Sequence, residues 1–263
     1  MPFASIRDLD MYYEQAGEGP DVLVISGTGG DLRRHPNAMD SPLTKRFRVT
    51  SYDQRGLGQT TKPEGGYTMA NYADDAAALM DHLEIAPCPV LGISFGGMVA
   101  QNLAVRHPSK ISRLALYCTS PGGEGGASYP LHELPEVDAE SAFRRMMKLS
   151  DNRIGDDWFD TDAADVLRKR MDKSEFAGEE GFLRGARGQL QARAGHDCWA
   201  ALPDLNMPVH LGGGLYDEIA LPDTMRGMAE RIPDAELKLY EGGHLFFIGD
   251  PQPYRDLIAF FSR

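Results

Sequence analysis

The hydrophobic pattern divides most of the chain into short runs that fit buried strands and longer stretches with helical spacing. Runs of the first kind lie at residues 21–25, 48–52, 89–91, 111–118 and 237–240. Apolar residues recur at helical spacing over 69–83 and 97–107, and Pro108 ends the second of these helices. Strands that alternate with helices in this order predict a largely parallel sheet with helices on both sides.

The two ends of the chain extend this pattern. Residues 3–6 and 11–15 alternate in polarity on either side of a short polar turn, which predicts an opening antiparallel hairpin. The sheet resumes at residue 208 after a long interruption, and a helix predicted over about 253–262 closes the chain.

The interruption itself, from residue 121 to residue 200, is polar, helical in pattern and free of strand signals. We therefore predict a helical cap, residues 121–200, inserted into a core formed by residues 1–120 and 201–263. The cap holds 16 Asp and Glu against 11 Lys and Arg, a difference of −5, so a polyanionic substrate gains no general attraction from it. Most of its aromatic residues are expected to hold it onto the core, and two or three to line a pocket.

Composition narrows the classes of function. The chain has 263 residues and a formal net charge of −12, and no stretch gathers enough Lys and Arg to offset that charge, which argues against a nucleic-acid or anionic-membrane surface. Cys88, Cys118 and Cys198 lack metal-site or disulfide spacing and are expected to be buried free thiols. Neither a secretory leader pattern nor an apolar segment of about 18 residues occurs, so we expect a cytoplasmic protein, monomeric or homodimeric.

A serine between two glycines marks the turn from the strand at 89–91 into the following helix. Such a turn forces the backbone of Ser94 into a strained conformation that lifts its hydroxyl above the sheet. Side chains at the two flanking positions would collide there, which accounts for Gly92 and Gly96. The context of strand, turn and helix favours a reactive serine over a turn that merely contains one.

A second glycine-rich loop, residues 26–31, follows the strand at 21–25 and leaves backbone N–H groups free. It could cradle a phosphate or hold an oxyanion. The phosphate interpretation requires G-x-G-x-x-G or a Lys-Ser/Thr pair after the glycines, and neither is present. We therefore favour an oxyanion-binding loop beside the serine turn.

Three side chains could supply nucleophilic catalysis. A serine hydroxyl needs a base to take its proton, and a histidine base needs a third group to orient it. Ser94, Asp217 and His244 each lie in a loop directly after a strand, and parallel sheets carry functional groups at the carboxyl ends of their strands. We predict that Ser94 attacks, that His244 is the general base, and that Asp217 orients it.

Other candidates for these roles are weaker. His35 is the main rival as base because it follows the predicted oxyanion loop, whereas the remaining histidines belong to predicted helices, a strand or the cap. Glu218 should face away from the site. Asp53 and Arg55, just past the strand at 48–52, are expected to hydrogen-bond their loop and each other rather than take part in chemistry.

These segments together resemble the α/β-hydrolase superfamily, in the branch of small esterases and enol-lactone hydrolases with a helical cap. The segments that carry the resemblance are 26–30 (SGTGG), 52–58 (YDQRGLG), 92–97 (GISFGG), 214–217 (GLYD) and 242–244 (GGH). The resemblance implies an α/β-hydrolase fold with Ser94, Asp217 and His244 as catalytic residues. It also implies that the backbone N–H groups of Thr28 and Phe95 hold the oxyanion. One departure is that Ser26 stands where many members carry histidine.

The resulting expectation is a hydrolase for a small or medium carboxylic ester or lactone, working without cofactor or metal. A cofactor-free perhydrolase or haloperoxidase with the same three residues is the alternative, and a non-catalytic receptor is a third class. A serine at position 94 disfavours dehalogenase and epoxide hydrolase chemistry, since relatives of those classes use aspartate there. Apart from the small-molecule substrate, no nucleic-acid or membrane partner is expected.

Overall fold

The chain forms an eight-stranded sheet in the computed structural model, which describes residues 2–172 and 174–263. Its strands are β1 (Phe3–Ile6), β2 (Leu9–Ala16), β3 (Asp21–Ile25), β4 (Arg48–Tyr52), β5 (Cys88–Ile93), β6 (Ile111–Tyr117), β7 (Val209–Gly214) and β8 (Glu236–Tyr240). They lie in the order β1-β2-β4-β3-β5-β6-β7-β8. Only the pairs β1–β2 and β2–β4 are antiparallel. The predicted hairpin and the largely parallel sheet are both confirmed.

Helices cover both faces of this sheet. The helices are α1 (Met69–His82), α2 (Phe95–Arg106), α3 (Ala139–Ser150), α4 (Asp162–Met171), α5 (Phe182–Ala194), α6 (Pro222–Arg231) and α7 (Gln252–Phe261). Leu23 and Ile25 of β3 join the apolar cluster beneath α1, α2 and α6, whereas Val22 and Val24 join the cluster beneath α7. The apolar run of β3 is therefore buried on both faces, as its composition predicts.

Helix α6 is absent from the sequence-based prediction. Its inward face offers only Met225 and Met228 as buried side chains, and the remainder of the helix is largely polar or charged. Pro222 occupies the first turn, where its fixed φ and missing N–H cost least. So few apolar positions give a weak periodic signal.

Between residues 121 and 200 the described residues form helices and turns, apart from one isolated bridge between Gly122 and Asp197. Phe143, Trp158 and Phe159 of this segment pack mainly on one another, with ring centroids 5.3–6.5 Å apart. They form a small apolar cluster of their own rather than holding the segment onto the sheet.

Helix α5 makes the close approach to the core. A Cβ on Gly185 would lie 1.8 Å from the carbonyl oxygen of Gly56, and one on Gly188 would lie 2.3 Å from the ring of Tyr67. Glycine at these two positions thus allows the helix to lie directly on the loop after β4. None of the helices in residues 2–172 and 174–263 has the length and apolar character needed to cross a membrane.

Candidate active site

Ser94 occupies the sharp turn between β5 and α2. Its backbone has φ 56° and ψ −117°, a left-handed conformation that non-glycine residues rarely adopt. A Cβ on Gly92 would lie 2.5 Å from the carbonyl oxygen of Gly96, and one on Gly96 would lie 2.1 Å from that of Ile25. The collisions expected from the sequence are therefore present. Ser94 remains partly exposed at the carboxyl edge of the sheet.

His244 lies in the loop after β8 and reaches Ser94. Its Nε2 is 3.0 Å from Ser94 Oγ, and its Nδ1 is 2.7 Å from Asp217 Oδ2. The backbone N–H of His244 donates to the carbonyl of Ser150, at the end of α3. The structure thus brings together the three side chains that sequence analysis selected.

Asp217 is held from both sides. Its Oδ1 accepts hydrogen bonds from the backbone N–H groups of Ile219 at 2.7 Å and Ala220 at 2.9 Å, while Oδ2 faces His244. The carboxylate is buried, so these donors replace the water that would otherwise solvate it. Glu218 turns away, as expected, and accepts a hydrogen bond from Asn152.

The electrostatic environment of His244 includes a residue that sequence analysis did not connect with the site. Burial lowers the pKa of His244, but Cys118 and then the Asp217 carboxylate raise it, and the outcome is a pKa of about 10. Cys118 directly follows β6 with φ 42° and is buried beside the histidine. All three cysteines are free and buried, as predicted.

The loop at residues 26–31 lies against the serine turn. A Cβ added to Gly27 would lie 3.4 Å from Ser94 Cβ, which places Thr28 at the mouth of the site. Among the described residues, no hydrogen-bond acceptor is found for the backbone N–H of Thr28 or Phe95. Gln54 steadies the loop because its Nε2 donates to the carbonyl of Ser26 at 2.7 Å. Two unpartnered N–H groups flank the serine, and they can receive a negatively charged oxygen.

The expectation for Asp53 and Arg55 is half correct. Asp53 does hold its loop, since its carboxylate accepts from the backbone N–H groups of Leu32 and Gln59. Arg55, however, does not pair with Asp53. It binds Asp75 and Asp8 through its guanidinium nitrogens at 2.7–2.9 Å. These acids lie on α1 and in the opening hairpin, so the ion pairs connect the hairpin, the loop after β4 and α1.

The other histidines have different surroundings. His35, the main rival as base, is exposed and bound to Asp40. His82 is exposed on α1, and His107 contacts Asp74. His196 contacts the carbonyl of Ser120. Since His244 is the histidine within hydrogen-bonding distance of Ser94, it is the base that the geometry supports.

Two cavities flank the site. One of about 640 Å³ lies behind the His244 loop and is lined by Ser150, Trp158 and Gly243, among others. A much smaller one of about 30 Å³ lies between the loop at residues 26–31 and α5, where Phe182 lines it. Trp158 and Phe182 are therefore the aromatic residues of segment 121–200 that line these spaces, a detail that the sequence left open.

Fold and site together define the class of protein. A family model described as the alpha/beta hydrolase fold matches residues 20–251, and the chain belongs to this family.

Its relatives carry several activities in their names. The chain is 27% identical to the putative non-heme bromoperoxidase BpoC of Mycobacterium tuberculosis, covering 97% of this chain and 98% of the relative. It is 23% identical to 3-oxoadipate enol-lactonase 2 of Acinetobacter baylyi, covering 96% and 92%. Among solved structures, the enol-lactonase from Burkholderia xenovorans superposes with a TM-score of 0.82 at 24% identity, covering 100% of both chains.

Proposed function

We propose that this protein is a serine hydrolase that cleaves a small or medium carboxylic ester or lactone through an acyl-enzyme intermediate. The observation that carries the proposal is the chain of contacts from Asp217 through His244 to Ser94, at 2.7 and 3.0 Å. Contacts of this kind activate a serine hydroxyl, which is otherwise a poor nucleophile.

In the first half-reaction, Ser94 Oγ attacks the carbonyl carbon while His244 Nε2 accepts the hydroxyl proton. The tetrahedral intermediate then collapses, the bond to the leaving oxygen breaks, and His244 returns the proton to that oxygen. Asp217 orients the imidazole and stabilises its protonated form. Water completes the cycle by attacking the acyl-enzyme with His244 again as base, which releases the acid and restores Ser94.

The backbone N–H groups of Thr28 and Phe95 are proposed to stabilise the oxyanion of both tetrahedral intermediates. Phe95 is the first residue of α2, so the helix N-terminus adds a favourable dipole there. Because both donors are backbone groups, the serine at position 26 does not remove the oxyanion-binding site.

The proposal is tested by a fluorophosphonate probe, with the adduct located by mass spectrometry. We expect the label on Ser94, together with turnover of short-chain aryl esters. Ser94→Ala should lose the label and on the order of 10⁴ to 10⁶ of kcat. Ser112→Ala, a change at an exposed serine of β6, should behave as wild type. Labelling at another residue, or an active Ser94→Ala protein, would rule the nucleophile out.

Substrate size is the next part of the proposal. Segment 121–200 is short, with about 80 residues, and its aromatic side chains form a compact cluster of their own, which suits a substrate of moderate size rather than a long acyl chain. A series of aryl esters from acetate to palmitate, with lactones and a coenzyme A thioester included, should therefore show graded rates that favour the shorter members. Activity confined to the longest chain or to the thioester would contradict this.

A perhydrolase is the second candidate, favoured by the similarity to a putative non-heme bromoperoxidase. In this reaction hydrogen peroxide, instead of water, attacks the acyl-enzyme and releases a peracid. Starting from a short carboxylic acid, the products are the peracid and one water. Peracid formation from acetate and peroxide, lost in Ser94→Ala, would support this candidate. Ester cleavage without peracid formation would exclude it.

A further inference from the structure

Helix α5 turns an unusual set of residues towards the core. Its buried positions are Gly185, Gly188, Gln189, Ala192 and Arg193, whose spacing describes one helical face. The two glycines allow the close approach described above, and Ala192 is small. The two remaining side chains are long and polar, so this face reaches the interior with hydrogen-bond donors rather than apolar groups.

Gln189 reaches the proposed oxyanion loop. Its Oε1 accepts a hydrogen bond from the backbone N–H of Gly29 at 2.8 Å, next to Thr28. The side chain is only 1% exposed, and its Nε2 is buried with no partner among residues 2–172 and 174–263. The amide oxygen of Gln189 thus has a partner, whereas its N–H₂ group is buried without one. Burying an unpaired donor costs free energy of folding because the donor loses its hydrogen bonds to water.

Arg193, four residues further along the same face, is a buried cation without a counter-ion. Its guanidinium donates to the carbonyl of Tyr129 at 2.5 Å and to the hydroxyl of Ser128, while Nε is buried and unpartnered. No carboxylate of the described residues lies within ion-pair distance. Burial lowers the pKa of Arg193 to about 10, so it stays charged at neutral pH. An unpaired buried charge destabilises the folded state, and binding of an anion would reduce this cost.

The contacts of these two residues lead to two different loops of the site. Gln189 contacts the loop that carries Thr28, and Gly27 of that loop lies against Ser94. Ser128 and Tyr129, which Arg193 contacts, both donate to the carbonyl of Ile219, whose own N–H holds Asp217. The polar face of α5 therefore extends from the oxyanion loop to the loop of the acid.

We propose that Gln189 and Arg193 form a subsite for a carboxylate group carried by the ester or lactone substrate. This inference rests on the proposed hydrolase function and specifies its substrate class. Residues four apart on a helix are neighbours, and the unpartnered Nε2 of Gln189 and Nε of Arg193 are the donors that such a carboxylate would meet. The net charge of −12 would repel an anion at long range, so preference for a carboxylate has to arise from local donors such as these.

A purely structural role is the alternative, in which Arg193 only holds residues 128 and 129 in place. That role predicts a loss of stability with no change in substrate preference. The measurement that distinguishes the two roles is therefore the ratio of the binding affinities for a carboxylate compound and for its uncharged methyl ester.

Binding to Ser94→Ala protein, measured by calorimetry, gives this ratio independently of turnover. The first probe pair is the monophenyl ester of adipic acid and its methyl ester, which differ by a charge in the acyl chain. The second pair is 4-(butyryloxy)benzoate and its methyl ester, which differ by a charge on the leaving group. We expect at least a tenfold preference for the carboxylate in one pair, and that pair shows where the carboxylate is carried. Equal affinity within both pairs would overturn the subsite.

Two substitutions in the same background test the named residues. Gln189→Glu keeps an acceptor for Gly29 and replaces only the unpartnered donor, while placing a carboxylate one turn from Arg193. Gln189→Glu should reduce the preference for the carboxylate member of the probe pair at least tenfold, and Arg193→Met should do the same. The matched control is Arg187→Met on the same helix, where the side chain is 69% exposed and the preference should not change. A preference retained in both Gln189→Glu and Arg193→Met would overturn the assignment, and Gln189→Glu suffices if Arg193→Met does not fold.

Turnover by the wild-type protein separates the two proposals. Equal cleavage of both members of each pair would leave the hydrolase function standing and remove the subsite. A carboxylate preference in binding, without cleavage of any ester or lactone, would leave the subsite standing and remove the hydrolase function.

Discussion

Nδ1 of His244 and Oδ2 of Asp217 lie 2.7 Å apart, and two backbone N–H groups hold the opposite carboxylate oxygen. Replacing Asp217 by asparagine keeps the shape but allows an amide N–H₂ to face the imidazole. The histidine would then adopt the wrong tautomer, and we expect kcat to fall on the order of 10⁴-fold. Kinetics with a short aryl ester, together with circular dichroism to verify folding, would check this.

The neighbouring acid provides the control. Glu218 accepts a hydrogen bond from Asn152 and points away from His244. Glu218→Gln should therefore retain kcat within about twofold, in line with the small effect expected for a substitution outside the reacting groups. If the two variants lost activity equally, Asp217 would have no special role in orienting the base.

The pH dependence of the reaction follows from the surroundings of His244. A base acts when it is neutral, so kcat/KM should rise with pH through the pKa of this histidine. That pKa is lowered by burial but raised further by Cys118 and Asp217, to about 10. We therefore expect the midpoint of the acid limb well above the value of about 6.5 that an ordinary histidine would give. A pH profile of kcat/KM would measure it.

Cys118 offers a specific test of the cause. Cys118→Ala removes a contribution that raises the pKa of His244, so the midpoint should move to lower pH. Cys88→Ala, at a buried thiol at the start of β5, should leave the midpoint where it is. Since burial alone would place the midpoint below 6.5, a midpoint near 6.5 in the wild type would show that Cys118 and Asp217 only offset the effect of burial and do not raise the pKa above its ordinary value.

Much of the site could be predicted because its signals are local. Ser94, Asp217 and His244 each follow a strand that the sequence predicts, and strand ends in a parallel sheet converge at one edge. The strained backbone at Ser94 was likewise predictable, since Gly92 and Gly96 lie only two residues away on either side. Local pattern and global fold agree here, as they do in most natural sequences.

What the sequence did not predict depends on contacts between distant segments. Arg55 binds Asp8 and Asp75, which lie 47 and 20 residues away, and no periodicity reveals such a choice of partners. Arg193 and Gln189 could not be distinguished from solvent-exposed positions of a polar helix. Their burial arises because Gly185 and Gly188 let α5 approach the core, a consequence of packing rather than of pattern.

The serine turn should be intolerant of even one added carbon. A Cβ on Gly96 would lie 2.1 Å from the carbonyl oxygen of Ile25, and neither backbone segment can move without disturbing β3 or α2. We expect Gly96→Ala to destabilise the fold by at least about 2 kcal/mol, as overpacking of a filled site does. Urea denaturation would measure the change in the free energy of unfolding.

Gly65→Ala is the matched control for that measurement. A Cβ there meets nothing within 4 Å, so the free energy of unfolding should stay within about 0.5 kcal/mol of wild type. If Gly96→Ala were equally neutral, the packing around the serine turn would be looser than the distances indicate.

His210, in the middle of β7, is a buried histidine with no role in the proposed chemistry. Its ring lies 5.4 Å from that of Phe260 and 6.0 Å from that of Tyr117, and neither ring nitrogen has a partner among the described residues. Burial lowers its pKa to about 4. The folded protein therefore holds this imidazole neutral, in surroundings where an aromatic ring fits.

Acid should destabilise the fold partly through this residue. Since the pKa is about 4 in the folded state and about 6.5 in the unfolded state, protons bind preferentially to the unfolded chain as the pH falls through that interval. The contribution of His210 to the free energy of unfolding is complete above pH ~6.5 and decreases by about 3 kcal/mol by pH ~4. His210→Phe should therefore lose correspondingly less stability than wild type between neutral and acidic pH, as measured by urea denaturation.

His82→Gln, a change at an exposed histidine of α1, should follow the wild-type curve. Parallel curves for His210→Phe and wild type would show that His210 does not titrate abnormally in the folded protein.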